Sequence, residues 1–362
     1  MTLEHLRQRL TEVDRELMAL IADRQRIVAE IGEHKIRNAV PTRDYERERE
    51  VLKGAREQAA ALALDADLAE KIMRLLILAS LTHQERTRVA AHTGGAGKRA
   101  LIIGGAGKMG AWFARFLASQ GFAVEIADPA PSAEGFRNIG DWRADALTHD
   151  IVIVATPIKT TADVLDELAT RRPPGLILDI GSLKTPLRGA LARLAAGGCL
   201  AASIHPMFGP DTQLLSGRHV IFVDIGVPAA TAAARSLFES TMAEQTEMSL
   251  EEHDRLIAYV LGLSHALNLA FFTALAESGE LVPRLQKMSS TTFDAQLKVA
   301  SLVATDNPHL YFEIQALNEY GGTPLEALRA ATERIQRLVM ESNERGFVAL
   351  MEAGRRYLTP AT

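Results

Sequence analysis

A single cysteine, Cys199, stands in a chain of 362 residues, so no internal disulfide and no multi-cysteine metal centre can form. Alone, it reads as a small buried apolar residue, and no metal is expected. Excess positive charge is missing too. Lys and Arg number 40 against 45 Asp and Glu, a net charge of −5, which leaves no broad basic field for nucleic acid. The N-terminus is charged and helical from the start, with no apolar signal core, and no run reads as long enough to span a membrane. These absences fit a cytoplasmic protein without membrane or nucleic-acid partners. The length suggests two or three domains with ample core.

What is present is organised around Ala100–Asp128. An apolar run ends in Gly105-Ala106-Gly107-Lys108-Met109-Gly110, and an amphipathic pattern follows with Trp112, Phe113, Phe116 and Leu117 at helical spacing. Gly121 breaks it, and a second apolar run, Ala123–Ala127, ends in Asp128. This is the order of a dinucleotide-binding βαβ unit: Gly105 for the tight turn, Gly107 for close approach to a pyrophosphate, Gly110 for helix–strand packing. The unpaired first-turn N–H groups and the helix dipole favour a phosphate there. Asp128 suits the two free ribose hydroxyls of NAD and repels the extra phosphate of NADP.

Before this unit, residues 1–38 carry a helical stripe of Leu3, Leu6, Leu10, Val13, Leu17, Leu20 and Ile21, continued by Ile27, Val28 and Ile31 and ended by Pro41. At 1.5 Å per residue the helix is about 55 Å long, so its stripe needs an extended partner, most simply a second copy. Further helices are expected over about 43–58 and 66–88. Arg24 and Lys35 share a face of the first, Asp44, Arg47 and Glu48 share a face of the second, and Ser80 and Gln84 share a face of the third. Arg7 lies about 42 Å along the helix from Lys35, too far to hold one small ligand with it in the same chain.

These segments, HLRQRLTEVDRELMALIADRQRIVAEIGEHK, RDYERERE and SLTHQ, resemble the all-helical chorismate mutases. The resemblance implies an intertwined dimer whose site takes Arg24, Lys35, Asp44, Arg47, Glu48, Ser80 and Gln84 from one chain and Arg7 from its partner. It implies guanidinium forks on the two carboxylates of chorismate, Lys35 and Gln84 donating to its ether oxygen, and Glu48 accepting from its ring hydroxyl. The rearrangement is pericyclic, so holding the shape and stabilising charge on the breaking bond suffice.

A glycine-rich linker is read over 91–99. Past Asp128, apolar strands within 150–160 and 175–185 alternate with helical segments, which implies a mainly parallel sheet and places Thr156, Pro157, Ser182 and Lys184 beyond its carboxyl edge. A strand near 199–204 runs into HPMFGPD, so His205 falls just past that edge, either a proton-transfer group or a structural loop histidine. HVIFVD (219–224) gives one more strand. From about Glu251 the chain reads helical nearly to its end, through a segment apolar on almost every side that is expected to be buried at a subunit interface. His265 within it reads first as a core histidine, and His253 as helix-start packing.

GGAGKMG, VIVATPI, LDIGSLK, HPMFGPD, EEHD and DNPHLY resemble the prephenate dehydrogenases, above all those fused behind a chorismate mutase. That resemblance makes His205 the catalytic histidine, Ser182 its helper at the ring hydroxyl and His265 a pocket residue. The expected architecture is an all-α mutase domain (1–90), an α/β Rossmann-type NAD-binding domain (100–248) and an all-α substrate and dimerisation domain (249–362), acting as a homodimer. The expected function is rearrangement of chorismate to prephenate, then NAD-dependent oxidative decarboxylation to 4-hydroxyphenylpyruvate. One departure opens an alternative. Leu302 stands where the fused enzymes carry a carboxylate-binding arginine, and Asp294 where a second arginine is frequent. Lys298, one turn before Leu302, offers a replacement charge, whereas Asp294 points to a substrate carrying an amine, either 4-amino-4-deoxyprephenate or arogenate. A third reading keeps the N-terminal helices as a dimerising or regulatory module only.

Overall fold

In the computed structural model, which describes residues 2–132 and 135–359, three helices come first: α1 (Leu3–Arg37), α2 (Tyr45–Ala61) and α3 (Ala66–Ala91). Each begins on a side-chain cap, with Thr2 accepting from His5 N–H, Asp44 from Arg47 N–H and Asp65 from Leu68 N–H. α1 ends before Pro41, because Asn38 returns its side-chain amide to the His34 carbonyl and Ala39 turns to φ 53°. The second half of α1 packs on α3, closely enough that a Cβ at Gly32 would stand 3.1 Å from Gln84 Cγ. The first half leaves Leu3, Leu6, Leu10, Val13, Leu17 and Leu20 between 47% and 66% exposed.

The central chain alternates β1 (Arg99–Ile103), α4 (Lys108–Ser119), β2 (Ala123–Ala127), β3 (Arg137–Asn138), β4 (Ile151–Val154), α5 (Ile158–Arg171), β5 (Leu176–Asp179), α6 (Arg188–Ala196), β6 (Ala201–Pro206), β7 (His219–Asp224), α7 (Pro228–Ser236) and β8 (Glu244–Ser249). The strands form one sheet of order β3-β2-β1-β4-β5-β6-β7-β8. From β3 to β6 the pairing is parallel, and β6–β7 is antiparallel. The chain reverses direction across the sheet between β1 and β4, the place where open α/β sheets hold ligands. Strands β1, β4 and β5 are buried almost throughout, as parallel strands covered on both faces must be. The aromatic face of α4 fills the space beneath: Phe116 stacks on Phe238 at 5.2 Å, and Trp112 donates to the Thr212 carbonyl at 2.9 Å.

The sheet differs from expectation at β6, which extends through His205; that residue pairs with Ile221 inside the ladder instead of lying beyond the edge. The third helix also continues to Ala91, into the segment read as linker.

The helical remainder comprises α8 (Leu250–Ile257), a π-helical turn (Ala258–Leu263), α9 (Ser264–Glu277), α10 (Val282–Gln286), α11 (Thr291–Ala304), α12 (Pro308–Leu317), α13 (Gly322–Met340) and α14 (Glu344–Leu358). Leu250–Glu277 is one continuous run of 28 residues, and its most apolar 18-residue stretch has a mean hydropathy of 1.6. That corrects the reading that no run reaches membrane-spanning length; by length and composition this one does. It is also far from buried within the chain, since 22% of its apolar window is covered. Leu256, Tyr259, Val260 and Leu267 stay exposed because α11, α12 and α13 pack on only part of its circumference.

Two compact units result. The first is Met1–Thr156, Glu167–Ile180 and Arg193–Glu247, holding the three N-terminal helices and the sheet; the second is Pro157–Asp166, Gly181–Ala192 and Met248–Thr362.

Candidate active sites

A cavity of about 560 Å³ lies among α1, α2 and α3 and is lined by Arg24, Lys35, Asp44, Arg47, Glu48, Ser80 and Gln84, with Ile27, Val28, Ile31 and Met73 as apolar walls. Seven expected residues thus meet in one space. Arg7 does not; it lies on the exposed first half of α1. Arg24 is fixed through Nη1, which donates to Ser80 Oγ at 2.6 Å and to the Leu76 carbonyl at 3.1 Å, leaving its Nε–Nη2 edge for a carboxylate. Burial pulls this guanidinium below its ordinary pKa. Lys35 Nζ donates to the Thr42 carbonyl at 2.7 Å, which aims it under the α1–α2 loop. Gln84 is 7% exposed, and its Oε1 has no hydrogen-bond partner among the described residues, the state of a group awaiting a polar ligand. Asp44 serves as the cap of α2, and Arg47 turns outward to Glu50 at 2.9 Å.

At the sheet's reversal point the glycine-rich turn follows β1. The positive φ of that turn, +85°, belongs to Gly104 and not to Gly105, and a Cβ at Gly104 would stand 2.6 Å from the Ala155 carbonyl oxygen. Gly105 is needed for space instead, since its Cβ would stand 2.5 Å from Ile126 Cβ. At Gly110 a Cβ would come within 2.2 Å of the Gly104 carbonyl. Helix α4 starts at Gly107 with no side-chain cap among the described residues, so its first-turn amides are available to a ligand. Asp128 follows β2 and accepts from Ala106 N–H at 3.1 Å, tying the acid to the turn; Thr156 follows β4 beside Gly104. This open turn, bare helix start and adjacent carboxylate fit a dinucleotide. In the same unit His205 is 4% exposed in β6, and Ser203, two residues earlier in the strand, donates to the buried Asp179.

The second unit holds Pro157, Ser182 and His265. Pro157 precedes α5, whose Ile158 N–H donates to the buried Glu313 at 3.0 Å. Ser182 sits in a turn whose next residues are gripped by Asp254. That carboxylate, wholly buried, accepts from Lys184 N–H at 3.0 Å, from Thr185 N–H and Oγ1–H at 2.6 Å each, and shares 2.6 Å with His253 Nδ1. Burial pushes its pKa up, and the hydrogen bonds, those of His253 and Thr185 foremost, more than reverse this and hold it below the usual carboxylate value. His265 stacks on Tyr311 at 4.0 Å, and its Nδ1 is buried with no hydrogen-bond partner among the described residues. Burial lowers its pKa, so it is a neutral imidazole near pH 7. It follows the π-helical turn, whose Gly262 carbonyl is taken up by Gln315 Nε2 at 2.8 Å. Lys298 and Leu302 are exposed on α11, and Asp294, in the first turn of that helix, accepts from Ser289 Oγ.

Residues 6–85 match the family model of chorismate mutase type II, residues 113–244 that of the prephenate dehydrogenase nucleotide-binding domain, and residues 249–353 that of the prephenate dehydrogenase dimerization domain. The T-protein of Enterobacter agglomerans is 30% identical over 312 residues, covering 85% of this chain and 80% of that protein. The chain belongs to the T-protein family. It is accordingly a bifunctional enzyme, an isomerase of the chorismate mutase type joined to an oxidoreductase of the prephenate dehydrogenase type. A 4-amino-4-deoxyprephenate dehydrogenase of Streptomyces pristinaespiralis is 32% identical over 263 residues, 70% of this chain and 88% of that one. The fold is shared with the prephenate dehydrogenase of A. aeolicus in complex with hydroxyphenyl propionate and NAD+, at TM-score 0.56 and 20% identity over 72% of this chain and 97% of that one.

Several residues that build these sites escape motif reading. Arg43 forks onto Glu48, Nε to Oε1 at 2.8 Å and Nη2 to Oε2 at 2.9 Å, and its Nη1 donates to Ser216 Oγ at 2.7 Å. Those Glu48 bonds raise the Arg43 pKa. Glu85, next to Gln84, is buried and accepts from Leu215 N–H at 2.7 Å and Met242 N–H at 2.6 Å. The basic side of the first pair was visible as one more charge in RDYERERE; its partner Ser216 had no signal at all.

Proposed function

We propose that the cavity among α1, α2 and α3 rearranges chorismate to prephenate, and that the Rossmann-type and helical parts oxidise prephenate with NAD to 4-hydroxyphenylpyruvate and CO₂. The observation that carries the first step is the meeting of Arg24, Lys35, Asp44, Arg47, Glu48, Ser80 and Gln84 around one space of about 560 Å³. Arg24 offers a free fork edge to one carboxylate, and Arg7 of the partner subunit offers a second. Lys35 retains two N–H donors beyond the one given to Thr42, and with the Gln84 amide it stabilises the charge that grows on the ether oxygen. Glu48 accepts from the ring hydroxyl. No nucleophile is required.

For the second step, Gly105, Gly107, Lys108, Met109 and Gly110 form the turn and helix start that hold the pyrophosphate, Asp128 takes the ribose hydroxyls, and Thr156 and Pro157 border the dinucleotide. Bound NAD supplies a hydride acceptor. His205, in the first unit, accepts the proton of the ring hydroxyl. Ser182 and His265, in the second, are the substrate-facing residues that the family resemblance assigns, His265 being neutral through burial. The working form is a homodimer, which covers the apolar stripes of α1 and of Leu250–Glu277.

A second reading, with a 4-amino ring in both steps, draws on the Streptomyces relative and on Leu302. Asp294 lends it little, because its place in the first turn of α11 and its bond from Ser289 give it a helix-start role. Lys298 stands as the replacement cation for a prephenate carboxylate. Steady-state kinetics of the full chain with both ring types test the proposal. Prephenate formation from chorismate without NAD, and a kcat/KM for prephenate above that for the amino compound, are expected. A value for the amino compound more than tenfold higher overturns the choice of substrate, and a chain inert towards chorismate reduces the N-terminal helices to a dimerising module.

A further inference from the structure

Glu48 is not a free carboxylate. Both of its oxygens receive Arg43, at 2.8 and 2.9 Å, and the pair is largely shielded, with side chains 27% and 20% exposed. Arg43 is itself held on two further sides. Its guanidinium lies 4.5 Å from the centre of the Tyr45 ring, and Nη1 reaches Ser216 at 2.7 Å. Ser216 belongs to the loop between β6 and β7, and that loop is anchored one residue earlier, where Leu215 N–H donates to Glu85 of α3. The cation therefore cannot swing away from Glu48 without breaking a fork, a ring contact and a hydrogen bond across two domains of the same compact unit.

A carboxylate has about four acceptor positions, so the fork leaves two for a ligand. What it removes is net charge. A bare Glu48 would bind an ammonium more strongly than a hydroxyl, because a bond between two ions is about twice as strong as one to a neutral donor. A Glu48 already neutralised by a fixed guanidinium loses that preference, and the guanidinium repels a second cation placed beside it. We infer that Arg43 sets which ring substituent the mutase cavity accepts: held on Glu48 by Ser216, it selects a neutral hydroxyl against a cationic amine. The inference rests on the reading of Glu48 as the acceptor for the ring substituent.

Full-length wild type, Arg43→Ala, Arg43→Lys and Ser216→Ala are compared in mutase kcat/KM for chorismate and for 4-amino-4-deoxychorismate. Wild type is expected to favour chorismate more than tenfold. Arg43→Ala narrows that ratio at least tenfold, mainly by lowering KM for the amine. Arg43→Lys keeps the discrimination, since it keeps the charge, and loses kcat for chorismate with the fork. Ser216→Ala narrows the ratio two- to fivefold by loosening the cation. If Arg43→Ala does not fold, as read by its melting curve, Arg43→Gln replaces it. A ratio within twofold of wild type in the uncharged variant overturns the inference, as does an equal loss for both rings or a wild-type preference for the amine. A wild type that rearranges neither ring overturns the mutase reading and the inference with it.

Discussion

His205 is held in the last part of a strand with 4% of its surface exposed, so the ladder fixes its backbone and burial confines its side chain before any substrate arrives. Replacing it with Asn preserves a compact polar side chain and removes the group that accepts the proton. Dehydrogenase kcat is expected to fall about 10²–10⁴-fold, the usual share of general acid–base catalysis, with the NAD dissociation constant nearly unchanged. A variant within threefold of wild type would show that another group is the base. Asp128 allows an equally direct test. Its two oxygens accept from Ala106 and Ala130 N–H groups, so Asp128→Asn keeps an acceptor for the turn while deleting the charge that repels a 2′-phosphate. The ratio of kcat/KM for NADP to that for NAD should rise about tenfold or more, near 1.4 kcal/mol. Wild-type enzyme that already prefers NADP contradicts the role given to the acid. At this scale the spacing of the motif residues foretold which side chains line the cavity among α1, α2 and α3, because residues on one helix face are brought to one space. It did not disclose Arg43, whose partner Ser216 is 173 positions away, nor the exchange of roles between Gly104 and Gly105, which depends on how β1 abuts Ala155.

Among the elements, periodicity marked α1, α2 and α3 and the apolar strands β1, β2, β4, β5 and β7 to within a few residues, since burial on one stripe or on both faces leaves a pattern. Two strands left none. β3 is two residues long, and β8, Glu-Gln-Thr-Glu-Met-Ser, is a polar strand at the sheet's end. Nor did any pattern reveal the latch between α3 and the sheet domain, where Glu85 takes the N–H groups of Leu215 and Met242. Burial pushes the Glu85 carboxyl above its ordinary value of 4.5, and the two backbone bonds pull it only partly back. The folded chain therefore binds this proton more tightly than the unfolded one. The linked stability is fully present below the ordinary value and is lost as pH rises through the folded one. Glu85→Gln keeps the shape, drops the titration and turns an N–H₂ towards one backbone donor, at a cost of about 1–3 kcal/mol for an orphaned buried group. Urea denaturation of both proteins from pH 4 to pH 7 should show wild type the more stable, by a margin that shrinks as pH rises. A margin that grows with pH would reverse the sign and remove the account of Glu85.

For the molecule as a whole, the decisive fact is how much apolar surface one copy leaves uncovered: the first half of α1, and much of Leu250–Glu277. The second helix lies in the part that matches a dimerization domain. The first carries Arg7 among its exposed residues, about 42 Å along the helix from Lys35. If each mutase site is completed by Arg7 of the partner subunit, the defect of Arg7→Ala and the defect of Lys35→Ala fall in different chains of one site. Each variant alone has both sites broken. In a two-fold symmetric hybrid, one site receives both lesions and the other receives neither. Random exchange makes half of the dimers hybrid, so mixing equal amounts should restore about a quarter of wild-type mutase activity. The dehydrogenase rate of the mixture serves as the measure of total enzyme, and exchange is verified with a tagged copy. No recovery despite verified exchange would place Arg7 outside the site and leave α1 with a purely structural reason for its length.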